Sequence, residues 1–260
     1  MSRVETYKLA LRALTDWEPY LLAESGLPGP RGNLELAQAV AGEGSEAQFR
    51  RWLALGPDVA PVNSPEEFLA FCGVAGLGRL LAEGRRDVLA VLRPFAADPR
   101  WRTREAVAMA LQRWGDAGMD ALLEEMAGWS RGTPWEQRAA AAALCEPRLL
   151  RRQEHAIAVL RILDEITAAM SDARDREVPA RFRGKGEAFK TLRQGLGYCW
   201  SVAVAASPEE GKRLMEKWCA SPDPDIRWIM RENLRKNRLT RMDAEWTEHW
   251  QVRLGTSGGA

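Results

Sequence analysis

Four arginines near the C-terminus, Arg227, Arg231, Arg235 and Arg238, recur at i, i+4, i+8 and i+11. On one continuous helix that spacing lays a cationic stripe along a single face. Lys236 and Arg241 add charge beside it, and Trp228 adds a flat aromatic ring. Guanidinium groups hold phosphate and carboxylate oxygens bidentately, so the stripe suits a nucleic-acid backbone. It suits equally a solvated face whose cations complement the negative end of a helix dipole. A second basic cluster lies in residues 172–186, a charged stretch with Pro179 and two glycines that reads as an extended loop. Arg174, Arg176, Arg181, Arg183, Lys185 and, just beyond, Lys190 make it either a solvated linker or an anion-contacting loop.

Other chemistries have little to draw on. Only two histidines are present, His155 and His249, both in charged amphipathic contexts, too few for a His-based metal site or triad. The four cysteines, Cys72, Cys145, Cys199 and Cys219, are far apart, form no C-x-x-C pair and sit in apolar contexts. They read as buried thiols in a reducing compartment. The segment GVAGLG at 73–78 contains G-x-x-G-x-G but lacks both dinucleotide spacing and a Gly-Lys-Ser/Thr ending, and no strand precedes it. Its glycines point instead to close helix–helix approach. No H-E-x-x-H or EF-hand loop occurs. The acid pairs Glu66-Glu67, Glu124-Glu125 and Glu209-Glu210 read as helix-face carboxylates. The sequence therefore predicts no cofactor and no metal.

The balance of 37 Lys+Arg against 36 Asp+Glu does not by itself point to nucleic acid, a membrane or an acidic substrate. With 46% hydrophobic residues in 260, the chain can bury a sizeable core. No stretch reaches the ~20 apolar residues of a membrane span, and no apolar run marks a secretory signal. Membrane partners are not expected, and the protein is expected in the cytoplasm.

The elements that must position these residues read as helix after helix. Ala97–Trp114 opens on Asp98-Pro99 and carries Val107, Ala110, Leu111 and Trp114 at helical spacing, with Gly115 as its stop. Helices are also expected from residue 3 to 24, as one or as two short ones that Pro19 bends or divides, over Leu34–Ala41 capped by Asn33, and over Ser45–Leu55. Ser64-Pro65-Glu66-Glu67 and Ser207-Pro208-Glu209-Glu210 repeat one helix-start signal, a Ser cap, Pro in the first turn and acids on the dipole. Arg85–Ala96, Gly118–Trp129, Thr133–Cys145, Gln153–Ser171, Glu187–Ala206, Ser221–Leu239 and Met242–Leu254 complete the set, with 255–260 as a flexible tail. No alternating strand is found, so the fold class is all-α.

One local pattern recurs. Asp223-Pro224-Asp225-Ile226-Arg227 opens WIMRENL, Asp98…Arg104 opens an Ala/Val/Leu helix, and Thr133…Arg138 opens AAAAALC. The D-P-x-[VI]-R opening resembles the second helix of a HEAT repeat, and 89 residues separate Arg138 from Arg227, room for two units of roughly 40–47 residues. The resemblance is good at three places and implies a right-handed α-α superhelix, an armadillo-type solenoid, over 1–254, clearest at 85–114, 118–145 and 207–239. It also implies that Arg104, Arg138 and Arg227 join an internal ladder, or else line the concave face and bind anions. Trp101, Trp135 and Trp228 would stand exposed there. A protein or nucleic acid is the partner expected on such a face.

The chain is also distantly similar to the bacterial HEAT-like-repeat DNA alkylation-repair glycosylases, all-α proteins whose basic inner surface holds damaged nucleotides between Trp residues and an acid. Cleaving an N-glycosidic bond builds oxocarbenium-like charge that a carboxylate and aromatic faces stabilise. Trp101–Glu105 and Trp228–Glu232 are Trp/acid pairs one helical turn apart, which makes Glu105 and Glu232 the catalytic candidates under that resemblance. The binding candidates are Trp101, Arg104, Trp135, Arg138, Arg227, Trp228, Arg231, Arg235, Lys236 and Arg238.

Overall fold

The computed structural model describes residues 2–175 and 186–255, without the side chains of 172–175. Residues 176–185, most of the expected basic loop, and the expected tail at 256–260 lie outside the described residues. Every regular element among the described residues is helical, and none is long and apolar enough to cross a membrane. The chain divides into two compact units, Met1–Gly118 and Met119–Ala260.

The first unit holds α1 (Arg3–Arg12), α2 (Glu18–Ala23), α3 (Leu34–Glu43), α4 (Glu46–Leu53), α5 (Pro65–Ala82), α6 (Leu89–Leu92) and α7 (Trp101–Ala117). The helix expected over Arg85–Ala96 is instead broken. Two 3-10 segments, Arg86–Val88 and Arg93–Ala97, flank the single turn of α6. Pro94 supplies one reason, since it has no N–H for a continuing ladder. Gly115 does not stop α7 either. It is buried inside the helix, and Gly118 is the C-cap.

Helix α5 is the axis of this unit. It is buried without interruption from Glu67 to Gly78 and packs against α2, α3, α4 and α7. A helix buried all round cannot carry large side chains on every face. A Cβ on Gly73 would lie 3.1 Å from Trp52 Cβ, one on Gly76 2.4 Å from the Phe49 ring, and one on Gly78 2.5 Å from Ala110 Cα. The glycines of GVAGLG therefore serve close helix approach, as their number in an apolar segment suggests.

The second unit holds α8 (Met119–Trp129), α9 (Pro134–Leu144), α10 (Gln153–Asp175), α11 (Glu187–Ala206), α12 (Pro208–Cys219), α13 (Pro224–Leu234), α14 (Asn237–Met242) and α15 (Ala244–Leu254). Helix α11 is its centre and touches α9, α10, α12, α13 and α14. Gly211 lets α12 lie against α11, where a Cβ would come 2.6 Å from Val204 Cα.

Helix starts follow their sequence signals with two exceptions, Ser207 and Asp98. Asn33, Ser64 and Asp223 cap with their side chains, and Ser45 and Thr133 form full capping boxes. Ser207 makes no cap bond although it repeats the signal at Ser64. It is also the C-cap of α11, and its buried hydroxyl has no partner. Asp98 does not cap α7. Its carboxylate accepts from the Arg100 N–H and guanidinium, and Arg100 is the N-cap residue.

Gly78→Ala is expected to destabilise the protein by about 1–3 kcal/mol through overpacking on α7. Gly128→Ala, in helical backbone with no atom within 4 Å of the new Cβ, is expected to be neutral or stabilising by up to ~1 kcal/mol. Denaturant unfolding checks both. At Asp243, which caps α15, Lys212 and the Trp246 N–H hold the carboxyl below its ordinary value. A lowered folded pKa means that this contribution to stability is complete above about pH 3.9 and is lost as pH falls through the folded value. A carboxyl titration followed by NMR is expected to give a midpoint below about 3.9.

Candidate anion-binding site

The expected cationic stripe does not lie on one helix. Helix α13 ends at Leu234, Arg235 is its C-cap, and Lys236 is extended (φ −82°, ψ 121°) before α14 begins at Asn237. Leu234 and Leu239 are both fully buried. Five residues apart, they would point about 140° from each other on a continuous helix, so a break in the helix is what allows both to reach the core. Arg227 and Arg231 consequently ride on α13, both half-buried, while Arg235, Lys236, Arg238 and Arg241 gather around the turn and α14.

There they line an open depression of about 510 Å³, together with Asn237 and Pro147. Tyr198, from α11, touches two of these lining residues, Lys236 and Arg238, and remains 46% exposed. Its hydroxyl accepts a 2.5 Å hydrogen bond from Arg238 Nη2, the Arg238 guanidinium carbon lies 4.8 Å from the ring centroid, and Lys236 Nζ lies 5.9 Å from it. Arg235 is paired with Glu232 at 2.6 Å. Among the described residues, Lys236, Arg238 and Arg241 have no carboxylate partner. Three unneutralised cations on six residues of chain, beside an exposed aromatic ring, can hold phosphate, sulfate or carboxylate groups.

The scaffold beneath is unusually well tied. Asn233 is fully buried. Its amide nitrogen donates to the carbonyls of Leu196 and Ile229, both at 2.8 Å, and its oxygen accepts from the Ser201 N–H at 2.7 Å. The side chain thus serves backbone groups of α11 and α13 just before the cationic turn. Gly197 brings the two helices together, since a Cβ there would meet the Trp228 ring at 3.1 Å and Glu232 Cβ at 3.3 Å. Below the depression, the Cys145 thiol bonds to that of Cys199, and burial pushes its pKa well up, slightly opposed by the Arg238 charge. Cys219 is pushed up to about 12 by burial. All four cysteines are free and buried, the environment of inert thiols.

The remaining candidates are spread over both units. Trp101 is 45% exposed, with the Arg102 guanidinium 4.4 Å over its ring. Arg104 is buried and donates to the carbonyls of Asp98 (2.7 Å) and Pro99 (3.2 Å), backbone at the start of its own helix. Glu105 is half-buried and engaged with a partner. Trp135 and Arg138 are half-buried and partnered, and the Arg138 stem packs on Gly195 of α11. Trp228 lies under the Arg193 guanidinium at 4.4 Å, and Arg193 pairs with Asp225 at 2.5 Å. Of the arginines and lysines expected to bind, the structure brings together Arg235, Lys236 and Arg238, joined by Arg241.

Tyr198, Asn237 and Pro147 are the residues that sequence reading missed. Tyr198 sits in an apolar helix where it reads as core. Only the position of α14 on α11 reveals its open ring. Asn233 carried one usable signal, a polar amide in the apolar run WIMRENL.

Asn233→Ala removes three buried hydrogen bonds that tie α13 to α11 and to its own backbone, and is expected to cost about 2–3 kcal/mol. Thermal and urea unfolding check this, with a loss under 1 kcal/mol as the contrary outcome. Compared with known proteins, the chain matches no family model, no curated protein and no solved structure.

Proposed function

We propose that the protein is a non-catalytic binding module of HEAT-like helical repeats, and that its working surface is the cationic depression around α14, which takes a polyanionic macromolecule. The observation that carries this reading is the gathering of Lys236, Arg238 and Arg241, without carboxylate partners among the described residues, around one open site. Formal charge over the whole chain is only +1, so charge of one sign concentrated here is a local arrangement. The repeat reading rests on the shared start pattern of α7, α9 and α13, on Thr133 and Asp223 as caps, and on the all-helical content.

A glycosylase would need a carboxylate offered beside an open aromatic ring. Glu232 is taken up by Arg235, and Trp228, unlike the exposed Tyr198, is half-buried. These contacts favour binding over bond cleavage.

The test is retention on immobilised heparin and its salt dependence. The wild-type protein is expected to bind at low salt and to elute as salt rises. The charge-reversed triple variant Lys236→Glu, Arg238→Glu, Arg241→Glu is expected to flow through, while Arg50→Glu with Arg51→Glu, on the exposed side of α4, is expected to bind as wild type. Failure of the wild type to bind at low salt, or unchanged binding by the triple variant, would contradict the proposal.

A further inference from the structure

We infer that the polyanion taken by this depression is single-stranded nucleic acid, with one base stacked on Tyr198 and the flanking phosphates on Arg238, Arg241 and Lys236; this rests on the binding role proposed above. A site built for charge alone has no use for an exposed aromatic ring. Tyrosine is large and mostly apolar, and burying it is favourable wherever packing allows. Tyr198 nevertheless stays 46% exposed on a helix whose neighbours Cys199 and Trp200 are buried.

Its polar tip is already satisfied by Arg238, at 2.5 Å from the hydroxyl. The ring is thereby held in one orientation, and the feature left to offer a ligand is its flat surface. Arg238 and Lys236 lie over the ring, 4.8 Å and 5.9 Å from its centroid, and the ring is still 46% exposed, so a base stacked on the part they leave open has cations next to it for its phosphates. A nucleotide supplies both parts, a π-face and adjacent phosphates, and an acidic peptide or a sulfated sugar supplies only the charges.

The geometry also selects the strand state. In a duplex the base faces are stacked on one another and cannot reach a side-chain ring. An open depression with cations at 235, 236, 238 and 241 fits a chain passing across it and does not enclose a free small molecule. Sequence preference is not built in, because every base has a face to stack.

The experiment is fluorescence anisotropy with a labelled 20-nucleotide oligo-dT, competed by unlabelled oligo-dT, a duplex of equal length, polyphosphate and polyglutamate. Oligo-dT is expected to compete at least about tenfold better than the other three at equal charge concentration. Tyr198→Ala is expected to weaken oligo-dT binding by about 5- to 100-fold and to leave polyphosphate binding unchanged. Tyr198→Phe, which keeps the ring and drops the hydroxyl, is expected to stay within about threefold of wild type. Circular dichroism confirms that each variant is folded. If polyphosphate, polyglutamate or duplex competes as well as oligo-dT, or if Tyr198→Ala loses nothing, the stacking inference is overturned while the cationic site stands. If no polyanion binds at low salt, the binding reading beneath it fails as well.

Discussion

The contact between α11 and α13 is the constraint on which the site depends. Two helices can lie this close only where one of them gives up side-chain volume, and Gly197 does so under Trp228 and Glu232. At that distance the Asn233 side chain reaches backbone on both helices. A donor–acceptor pair inside a helix is costly to expose without a partner. The amide supplies both partners, and this pins the end of α13 to α11. The chain then turns at Arg235 and Lys236, and Leu239 anchors α14 in the core. The cations are presented by a short, sharply placed segment whose two sides are both fixed. The same device recurs in the first unit, where Gly78 admits Ala110 to the backbone of α5.

Tryptophan and charge are used together throughout. The indole N–H groups of Trp52, Trp218 and Trp246 donate to Glu18, Asp164 and Glu216 at 2.7–2.8 Å. Lys217 and Lys212 lie over the rings of Trp218 and Trp246, with Lys217 also on Asp164. Around Trp218, ring, Lys217 and Asp164 close a local circuit that satisfies the polar edge of the indole. Indole–carboxylate bonds hold Trp52, Trp129, Trp218 and Trp246. They also consume charge. Arg100 is closed on Asp98 and on the carbonyls of Leu55 and Ala60, and Arg102 on the fully buried Glu67. Around α14, by contrast, three cations without a carboxylate partner among the described residues line one depression.

How much of this is legible in the sequence depends on the range of the interaction that decides it. Caps at Asn33, Ser45, Ser64, Thr133 and Asp223 are local, three residues from donor to acceptor, and the sequence displays them. The all-helical class follows from periodicity. The basic character of residues 227–241 is equally plain. What it does not display is the break at Arg235 and Lys236, because no glycine or proline marks it and the cause is tertiary, the burial of both Leu234 and Leu239. A regular i, i+4 spacing across that point describes a stripe that a straight helix would have. Tyr198 is hidden for the same reason, since its neighbours Lys236 and Arg238 are 38 and 40 residues away in sequence. Ser207 shows the converse. An identical Ser-Pro-Glu-Glu signal fails to cap where the residue must also end the preceding helix.

The account stands most directly on where an anionic strand contacts the protein. Amide chemical-shift mapping with a short oligo-dT measures this residue by residue. Shifts concentrated on Tyr198, Arg235, Lys236, Asn237, Arg238 and Arg241 are the predicted result. Shifts centred instead on Trp101 and the start of α7, or none at saturating strand, would contradict it.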